Sequence, residues 1–157
     1  MILITGARGY LGLRLYKHLN KRNYRILGSS KSNNFKNFIN LDLINNIDLN
    51  KSLTKIESIV HFGSLNYKKC EEDKNKALKI ISEGTKKLLE NAIKHNVKKF
   101  IYISTAQVYG SNLFGRVSEN TKLSPINNYG LAHKIEEDNF FNNFSNNNTR
   151  IVILRLS

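Results

Sequence analysis

Gly6, Gly9 and Gly12 stand at the spacing G-x-x-G-x-x-G near the start of the chain, and that spacing suits the holding of a pyrophosphate. Gly6 permits a tight turn, Gly9 lets an anion approach the backbone, and Gly12 lets the following helix pack closely. The free N–H groups of the first helical turn then point at the anion. A bare pattern of this kind serves equally as an ordinary turn between two elements. Its setting argues for nucleotide binding. The apolar run Met1–Ile4 reads as a buried strand, Thr5-Gly6 ends it, and Leu11, Leu15, Tyr16 and Leu19 recur at helical spacing.

In a dinucleotide-binding sheet the second strand ordinarily ends in an acidic residue that takes the ribose 2′-hydroxyl. Here the strand Tyr24–Ser29 runs into Ser29-Ser30-Lys31-Ser32. A hydroxyl at Ser30 and a cation at Lys31 suit a 2′-phosphate better than a bare diol, and Arg8 reaches from the glycine loop towards the same place. NADP is therefore expected ahead of NAD. Lys31 on its own reads equally as one more surface lysine.

These residues must be positioned by alternating elements. A polar loop over Ser32–Asn40 leads to a short third strand, Phe38–Leu43, which carries Asp42. A brief helix is expected over Leu49–Thr54 and a fourth strand over Ser58–Phe62. His61, at a buried strand end, reads as a packed, hydrogen-bonded core residue and is assigned no chemistry. The longest helix is expected over Glu71–Asn96, with Ala77, Ile80, Ile81, Gly84, Leu88, Ala92 and Ile93 as its apolar stripe. Core packing accounts for that stripe, and part of it can face a partner subunit; a homodimer is the expected state of the whole protein. A fifth strand, Lys98–Ser104, a long loop, Thr105–Pro125, a helix, Asn127–Phe144, an Asn-rich turn, Ser145–Asn148, and a sixth strand, Arg150–Leu156, complete the series. Such alternation predicts an α/β fold: a Rossmann-type, doubly wound parallel sheet of six strands covered on both faces.

Length and composition narrow the classes further. The 157 residues suit one domain, and an apolar fraction of 40% is ordinary for a folded protein. Cys70 is the one cysteine, which rules out an internal disulfide framework and suits a reducing cytoplasm. Met1–Ile4 lacks a basic start and is too short for the core of a signal peptide, and no apolar stretch is long enough to span a bilayer. The expected location is cytoplasmic, with no membrane partner. The formal charge is +13, yet Lys17, Lys21, Lys86, Lys87 and Lys94 are scattered over helix surfaces and no aromatic residues interleave with a basic stripe. A dispersed charge gives no groove-tracking patch, so nucleic acid is not an expected partner. A bias towards Lys, Asn and Ile explains the charge and the asparagine runs together.

Two further segments, Ser104–Gly110 and Asn128–Lys134, fall at the end of the fifth strand and the start of the last helix. Ligands of a doubly wound sheet bind outside the carboxyl ends of its strands, so both come to the mouth of the dinucleotide site. Here the chain resembles an extended short-chain dehydrogenase/reductase of the NAD(P)-dependent epimerase/dehydratase family, enzymes that act on nucleotide sugars. The matching stretches are TGARGYLG, LDL at Leu41–Leu43, IVHFGS at Ile59–Ser64, EGTKKLLENA at Glu83–Ala92, VKKFIYISTAQVYG at Val97–Gly110, SENTKLSP at Ser118–Pro125, YGLAHKIEE at Tyr129–Glu137 and ILRLS at Ile153–Ser157. They run from end to end in the family's order.

The resemblance implies roles. Gly6, Gly9, Tyr10, Leu11 and Gly12 would hold the pyrophosphate, Asp42 and Leu43 would contact the adenine, and Phe62, Gly63 and Ser64 would line the adenosine and ribose. Thr105 takes the place of the catalytic Ser/Thr and Tyr129 that of the catalytic tyrosine, which exchanges a proton with a substrate hydroxyl while hydride passes to or from the nicotinamide. No metal is implied. The chain departs from the family's Y-x-x-x-K at His133; Lys134 comes one residue late, about 100° around the helix. The lysine normally grips the nicotinamide ribose and lowers the tyrosine pKa by its charge, whereas imidazole is only partly charged at neutrality. His133 is thus expected in a variant of that role. Ile81 stands where the family usually has an asparagine. The sequence stops before the family's last strand and its substrate lobe, so residues 1–157 are expected to be an incomplete dinucleotide-binding domain, a fragment or a truncated product, inactive by itself. The rival readings are a non-catalytic dinucleotide-binding sensor or regulator, and an RNA-binding derivative suggested only by charge.

Overall fold

The computed structural model describes residues 1–31, 36–45, 56–111, 113–144 and 148–157. The elements run β1 (Ile2–Thr5), α1 (Tyr10–Lys21), β2 (Ile26–Ser30), β3 (Phe38–Asn40), β4 (Ser58–His61), α2 (Tyr67–Glu72), α3 (Lys74–Ala77), a π-helical turn (Leu78–Gly84), α4 (Thr85–Lys94), β5 (Lys99–Thr105), a 3-10 turn (Ala106–Tyr109), α5 (Asn128–Asn143) and β6 (Arg150–Leu156). The described strands form one parallel sheet of six in the order β3-β2-β1-β4-β5-β6. The chain builds outward from β1 to β3, then crosses back to lay β4 on the other side of β1. That reversal opens a crevice at the carboxyl ends of β1 and β4, where doubly wound sheets take their ligands.

Continuous apolar runs account for the strands, because a parallel strand is covered on both faces. The register sets Leu3 beside Ile59, Ile59 beside Phe100 and Phe100 beside Ile151. Leu3, Ile59 and Phe100 are fully buried against Leu88, Leu89 and Ala92 of α4 and Phe140 of α5. Strand limits differ from the sequence reading by a residue or two at most ends. β3 is shorter than expected: the Asp42 carboxylate accepts from the Ile44 amide at 2.9 Å and turns the chain away. The helix expected over Leu49–Thr54 lies outside the described residues, as do positions 32–35 and 145–147.

The single helix expected over Glu71–Asn96 is broken and begins earlier. Asn66 caps α2 by accepting from the Lys69 amide at 3.0 Å. Asp73 then leaves helical geometry (φ −147°, ψ 91°), and its carboxylate accepts from the Lys76 amide to start α3. Short polar side chains compete for the backbone in this way, which an apolar stripe does not reveal. The stripe itself packs as expected: Ala77, Ile80, Ile81, Leu88 and Ala92 are buried. At the end of the π turn a Cβ on Gly84 would stand 2.9 Å from both the Cβ and the carbonyl oxygen of Leu43, so only glycine admits this contact. Asn23 and Asn96 follow α1 and α4 at φ 58° and 56°, left-handed positions that asparagine tolerates. Among the described residues no helix is long and apolar enough to cross a membrane.

Candidate functional site

The glycine loop has the geometry of a cradle. Gly6 turns at φ +62°, and a Cβ there would meet the Phe62 backbone at 2.9 Å. A Cβ on Gly12 would lie 2.3 Å from the Gly6 carbonyl oxygen, so the first turn of α1 rests directly on the loop. A Cβ on Gly9 would meet only that same oxygen, at 3.2 Å. Gly9 is also the N-cap of α1; it offers no side-chain cap, and the first turn holds no acidic residue. The N–H groups and positive dipole end of this helix are left for an anion. These features fit a dinucleotide pyrophosphate.

The loop opens on a cleft of about 500 Å³ that gathers Gly6, Arg8, Gly9, Ser30, Lys31, Asp42, Leu43, Phe62, Gly63 and Ser64. These residues, drawn from four separate stretches of the chain, thus meet at one place. Lys31 does not stand alone there: its ammonium lies 3.6 Å from the Asp42 carboxylate. The Ile44 amide, helped by Lys31 and Asn45, holds that carboxyl below its ordinary pKa of 3.8. Tyr10 and Leu11 stay outside the cleft. Tyr10 is 71% exposed, with the Arg14 guanidinium 4.4 Å above its ring. The cleft also uses Thr5, Ser29 and Ile80, which were read as strand ends and core. Position at the carboxyl end of a strand was the available signal for the first two.

A second group lies between β5 and α5. Asn127 caps α5 by accepting from the Gly130 amide at 2.7 Å, which sets Tyr129 in the first turn and His133 one turn on. A Cβ on Gly130 would stand 2.7 Å from the Gln107 carbonyl oxygen, so glycine lets α5 close on the 3-10 turn. Tyr129 and His133 pack edge to face with ring centroids 4.6 Å apart. Burial raises the Tyr129 pKa above 10, with the Cys70 thiol a smaller contributor. Thr105 is buried and its hydroxyl accepts from the Gln107 amide at 3.2 Å. His133 is 1% exposed and burial pushes its pKa down to about 4, so the ring is neutral at neutrality. It does not line the cleft: Nδ1 meets the Tyr102 hydroxyl at 2.6 Å and Nε2 meets Ser64 Oγ, which does line it, at 3.4 Å. Lys134, the displaced lysine, pairs with Asp138 at 2.6 Å.

His61 is packed as expected, hydrogen-bonded to Thr5 Oγ1 at 2.5 Å and Thr85 Oγ1 at 2.9 Å. Sequence reasoning passed over Tyr102 and the buried ionic cluster of Ser104, Glu137 and Arg155. Alternation along β5 places Tyr102 beside Phe100 on the core face, and a buried phenol usually finds a hydrogen-bond partner; that is the available signal.

With this geometry in view, the comparisons are direct. A sequence model of the NAD dependent epimerase/dehydratase family matches residues 2–157, and the chain belongs to that family. It is 30% identical to UDP-arabinose 4-epimerase 1 of Arabidopsis thaliana over 98% of its own length and 42% of that protein. It is 31% identical to an uncharacterised UDP-glucose epimerase of Bacillus subtilis over 83% of its length and 48% of the other. Among solved structures, the UDP-glucuronic acid 4-epimerase from Bacillus cereus in complex with NAD superposes with a TM-score of 0.85 at 28% identity, over 99% of this chain and 55% of that one. A short-chain dehydrogenase/reductase superfamily protein from Agrobacterium tumefaciens with bound NAD, at 24% identity and a TM-score of 0.87, shares the fold. The chain spans two fifths to about half the length of these proteins.

Proposed function

We propose that residues 1–157 form the dinucleotide-binding part of an NAD(P)-dependent enzyme that epimerises, dehydrates or reduces a nucleotide sugar. The single observation that carries this reading is the glycine cradle under an uncapped helix end, opening on a cleft that collects ten of the residues expected at a dinucleotide. Support for NAD and for a nucleotide sugar comes from the relatives, whose names carry both. A homodimer is proposed for the whole enzyme. The preference for NADP expected from Ser30 and Lys31 is narrowed by Asp42, whose carboxylate offsets the lysine charge in the same cleft. Either dinucleotide is therefore accepted.

When bound, the dinucleotide supplies a hydride acceptor and donor. The chain's own residues do the rest. The N–H groups of α1 and the backbone of Gly9 hold the pyrophosphate, Asp42 and Leu43 border the adenine, and Ser64 faces a ribose. Tyr129 exchanges a proton with the reacting hydroxyl and Thr105 hydrogen-bonds the same oxygen. A neutral His133 does not lower the tyrosine pKa as a lysine charge would, so turnover should rise into the alkaline range.

The test combines binding and turnover. Calorimetric titration of the chain should show NAD and NADP binding that Gly12→Val abolishes. In an enzyme containing these residues, Tyr129→Phe should cut turnover on the order of a hundred- to ten-thousandfold while sparing dinucleotide binding, and His133→Lys should move the pH–rate profile towards acid. Full activity in Tyr129→Phe would remove the tyrosine from the mechanism. Binding without turnover would favour the second reading, a dinucleotide sensor, which the neutral His133 and the raised Tyr129 pKa also suit.

A further inference from the structure

Tyr102 lies outside the cleft and outside the mechanism above, yet it is 2% exposed and its hydroxyl meets His133 Nδ1 at 2.6 Å. The hydrogen-bond network at the other end of the contact assigns that bond a direction. A serine hydroxyl has one hydrogen and two lone pairs. Ser64 donates its hydrogen to the Leu65 carbonyl at 3.0 Å. Its oxygen therefore accepts from His133 Nε2, at 3.4 Å. Nε2 then carries the imidazole proton, Nδ1 is bare, and Tyr102 donates to it. Packing holds the phenol in place: its ring stacks on His61 at 6.0 Å and stands edge-on to Phe140 at 5.1 Å.

We propose that Tyr102 is a positioning residue that, through the Nε2–H tautomer of His133, holds the Ser64 hydroxyl with a lone pair turned to the cleft, where it accepts a hydrogen bond from a ribose hydroxyl of the dinucleotide. The inference rests on the dinucleotide reading. Every hydroxyl and ring hydrogen in the chain points one way: Tyr102 to Nδ1, Nε2 to Ser64, Ser64 to Leu65. Of the three groups only Ser64 reaches the cleft, and the one site left open on it is an acceptor. A lysine at position 133 would present donors to the ligand. This arrangement presents an acceptor and so selects a hydroxyl on the ligand.

Two measurements on the 157-residue chain test the proposal. The first is the ¹⁵N spectrum of the histidine-labelled protein at neutral pH, with the His133 signals assigned by their loss in His133→Gln. One protonated and one bare nitrogen are expected, with the proton on Nε2, and Tyr102→Phe should let the other tautomer appear. The second is the affinity for NAD. Tyr102→Phe and Ser64→Ala should each weaken it about three- to tenfold, the worth of one positioned hydrogen bond. His133→Gln, whose amide places an N–H where Nε2–H stood, should stay within about twofold by the same measure, whereas His133→Leu should lose as much as Ser64→Ala. A proton on Nδ1, a charged ring at neutrality, or an unchanged tautomer in Tyr102→Phe overturns the proposal while NAD binding stands. Unchanged affinity in Ser64→Ala overturns the ribose contact. If the Nε2–H tautomer is present and neither NAD nor NADP binds, the dinucleotide reading fails and the ribose contact with it.

Discussion

Glu136 and Glu137 are neighbours on α5, both fully buried, and they meet opposite electrostatic surroundings. Glu137 faces the end of the sheet. Its oxygens accept from Arg155 Nε at 3.0 Å, Arg155 Nη2 at 2.7 Å and Ser104 Oγ at 2.5 Å, and the arginine is itself braced by donating to the Tyr109 hydroxyl at 2.8 Å. Glu136 faces the π turn instead. Asn139 donates to its Oε2 at 3.2 Å, while Oε1 has no hydrogen-bond partner among the described residues. Burial pushes the Glu136 pKa up to about 8, with Asn139, Ser82 and Lys86 only partly opposing the shift. One residue of helix rotation decides which carboxyl finds a countercharge. His133, one turn before Glu137, follows Glu136: buried with polar but uncharged partners, it stays neutral. The rule is that burial alone neutralises a group, and that a buried group keeps its charge where a fixed counterion with several donors meets it.

The strongest way to strain this comparison is to charge the buried bases. Burial lowers His61 to about 3 and His133 to about 4 from an ordinary 6.5, with the two rings also disfavouring each other's charge at His61. A base whose folded pKa lies below its unfolded value contributes stability that is complete above about pH 6.5 and is lost as pH falls towards 4. The two together are worth on the order of 5 kcal/mol by pH 4, comparable with the whole stability of a domain. Urea melts at stepped pH should show the chain failing between pH 6 and 4. A flat stability curve down to pH 4 would show that the imidazoles are charged after all.

Removing a countercharge comes next. Arg155→Met leaves the Glu137 carboxylate buried without its partner and should cost roughly 3 to 5 kcal/mol in the same melts at neutral pH. Replacing both residues by apolar ones of similar size, Glu137→Met with Arg155→Leu, should recover most of that loss. If the single change is mild, Glu137 was not ionised and the contrast with Glu136 disappears.

Glu136 gives the mirror image, with a smaller effect. Its folded pKa is raised, so its contribution is complete below about pH 4.5 and is lost as pH rises towards 8. Most of that loss is complete by neutrality, and a further loss of roughly 1 to 2 kcal/mol is expected between about pH 7 and 9. Glu136→Gln keeps the shape and removes the titration, so the variant should overtake the parent in stability above about pH 7. Equal pH profiles for the two proteins would place a counterion at Glu136.

What the sequence let one read follows the same division between local and distant partners. The glycine cradle was legible because Gly6, Gly9 and Gly12 act within one turn of chain, and the strands because parallel burial writes itself as unbroken apolar runs. Asp73 and Asn66 break and cap the long helix through bonds that reach only three residues, but the apolar stripe that continues through them masks the signal. Tyr102 and His133 are 31 residues apart, Glu137 and Arg155 18 apart, and nothing in either local sequence names its partner. The π turn was illegible for a like reason: Gly84 is pressed against Leu43, a contact across the fold that periodicity does not encode. His133 was noticed from its place after Tyr129, yet its neutrality follows from burial, and its position behind Ser64 from the packing of β5 on α5.

The smallest effect tests the exposed counterpart of the buried pair. Lys31 and Asp42 stand 3.6 Å apart with the lysine side chain 67% exposed, so water screens most of their attraction. Asp42→Asn should change stability by about 0.5 kcal/mol at most, against the several lost with Arg155. The consequence lies in the cleft instead. Removing the carboxylate leaves Lys31 and Arg8 as the charges nearest the end of β2, and a 2′-phosphate gains from an attraction that a bare diol does not feel. The ratio of NADP to NAD affinity should therefore rise by a few-fold in Asp42→Asn, and the rise should shrink as salt is added, because an exposed interaction is screened. Asp42 also borders the expected adenine site, so both affinities can fall together; the ratio, read by titrating each dinucleotide at low and high salt, isolates the charge. A ratio that does not move would show that Asp42 leaves the lysine free to meet a phosphate, and the preference for NADP would then rest on Ser30, Lys31 and Arg8 as the sequence alone suggests.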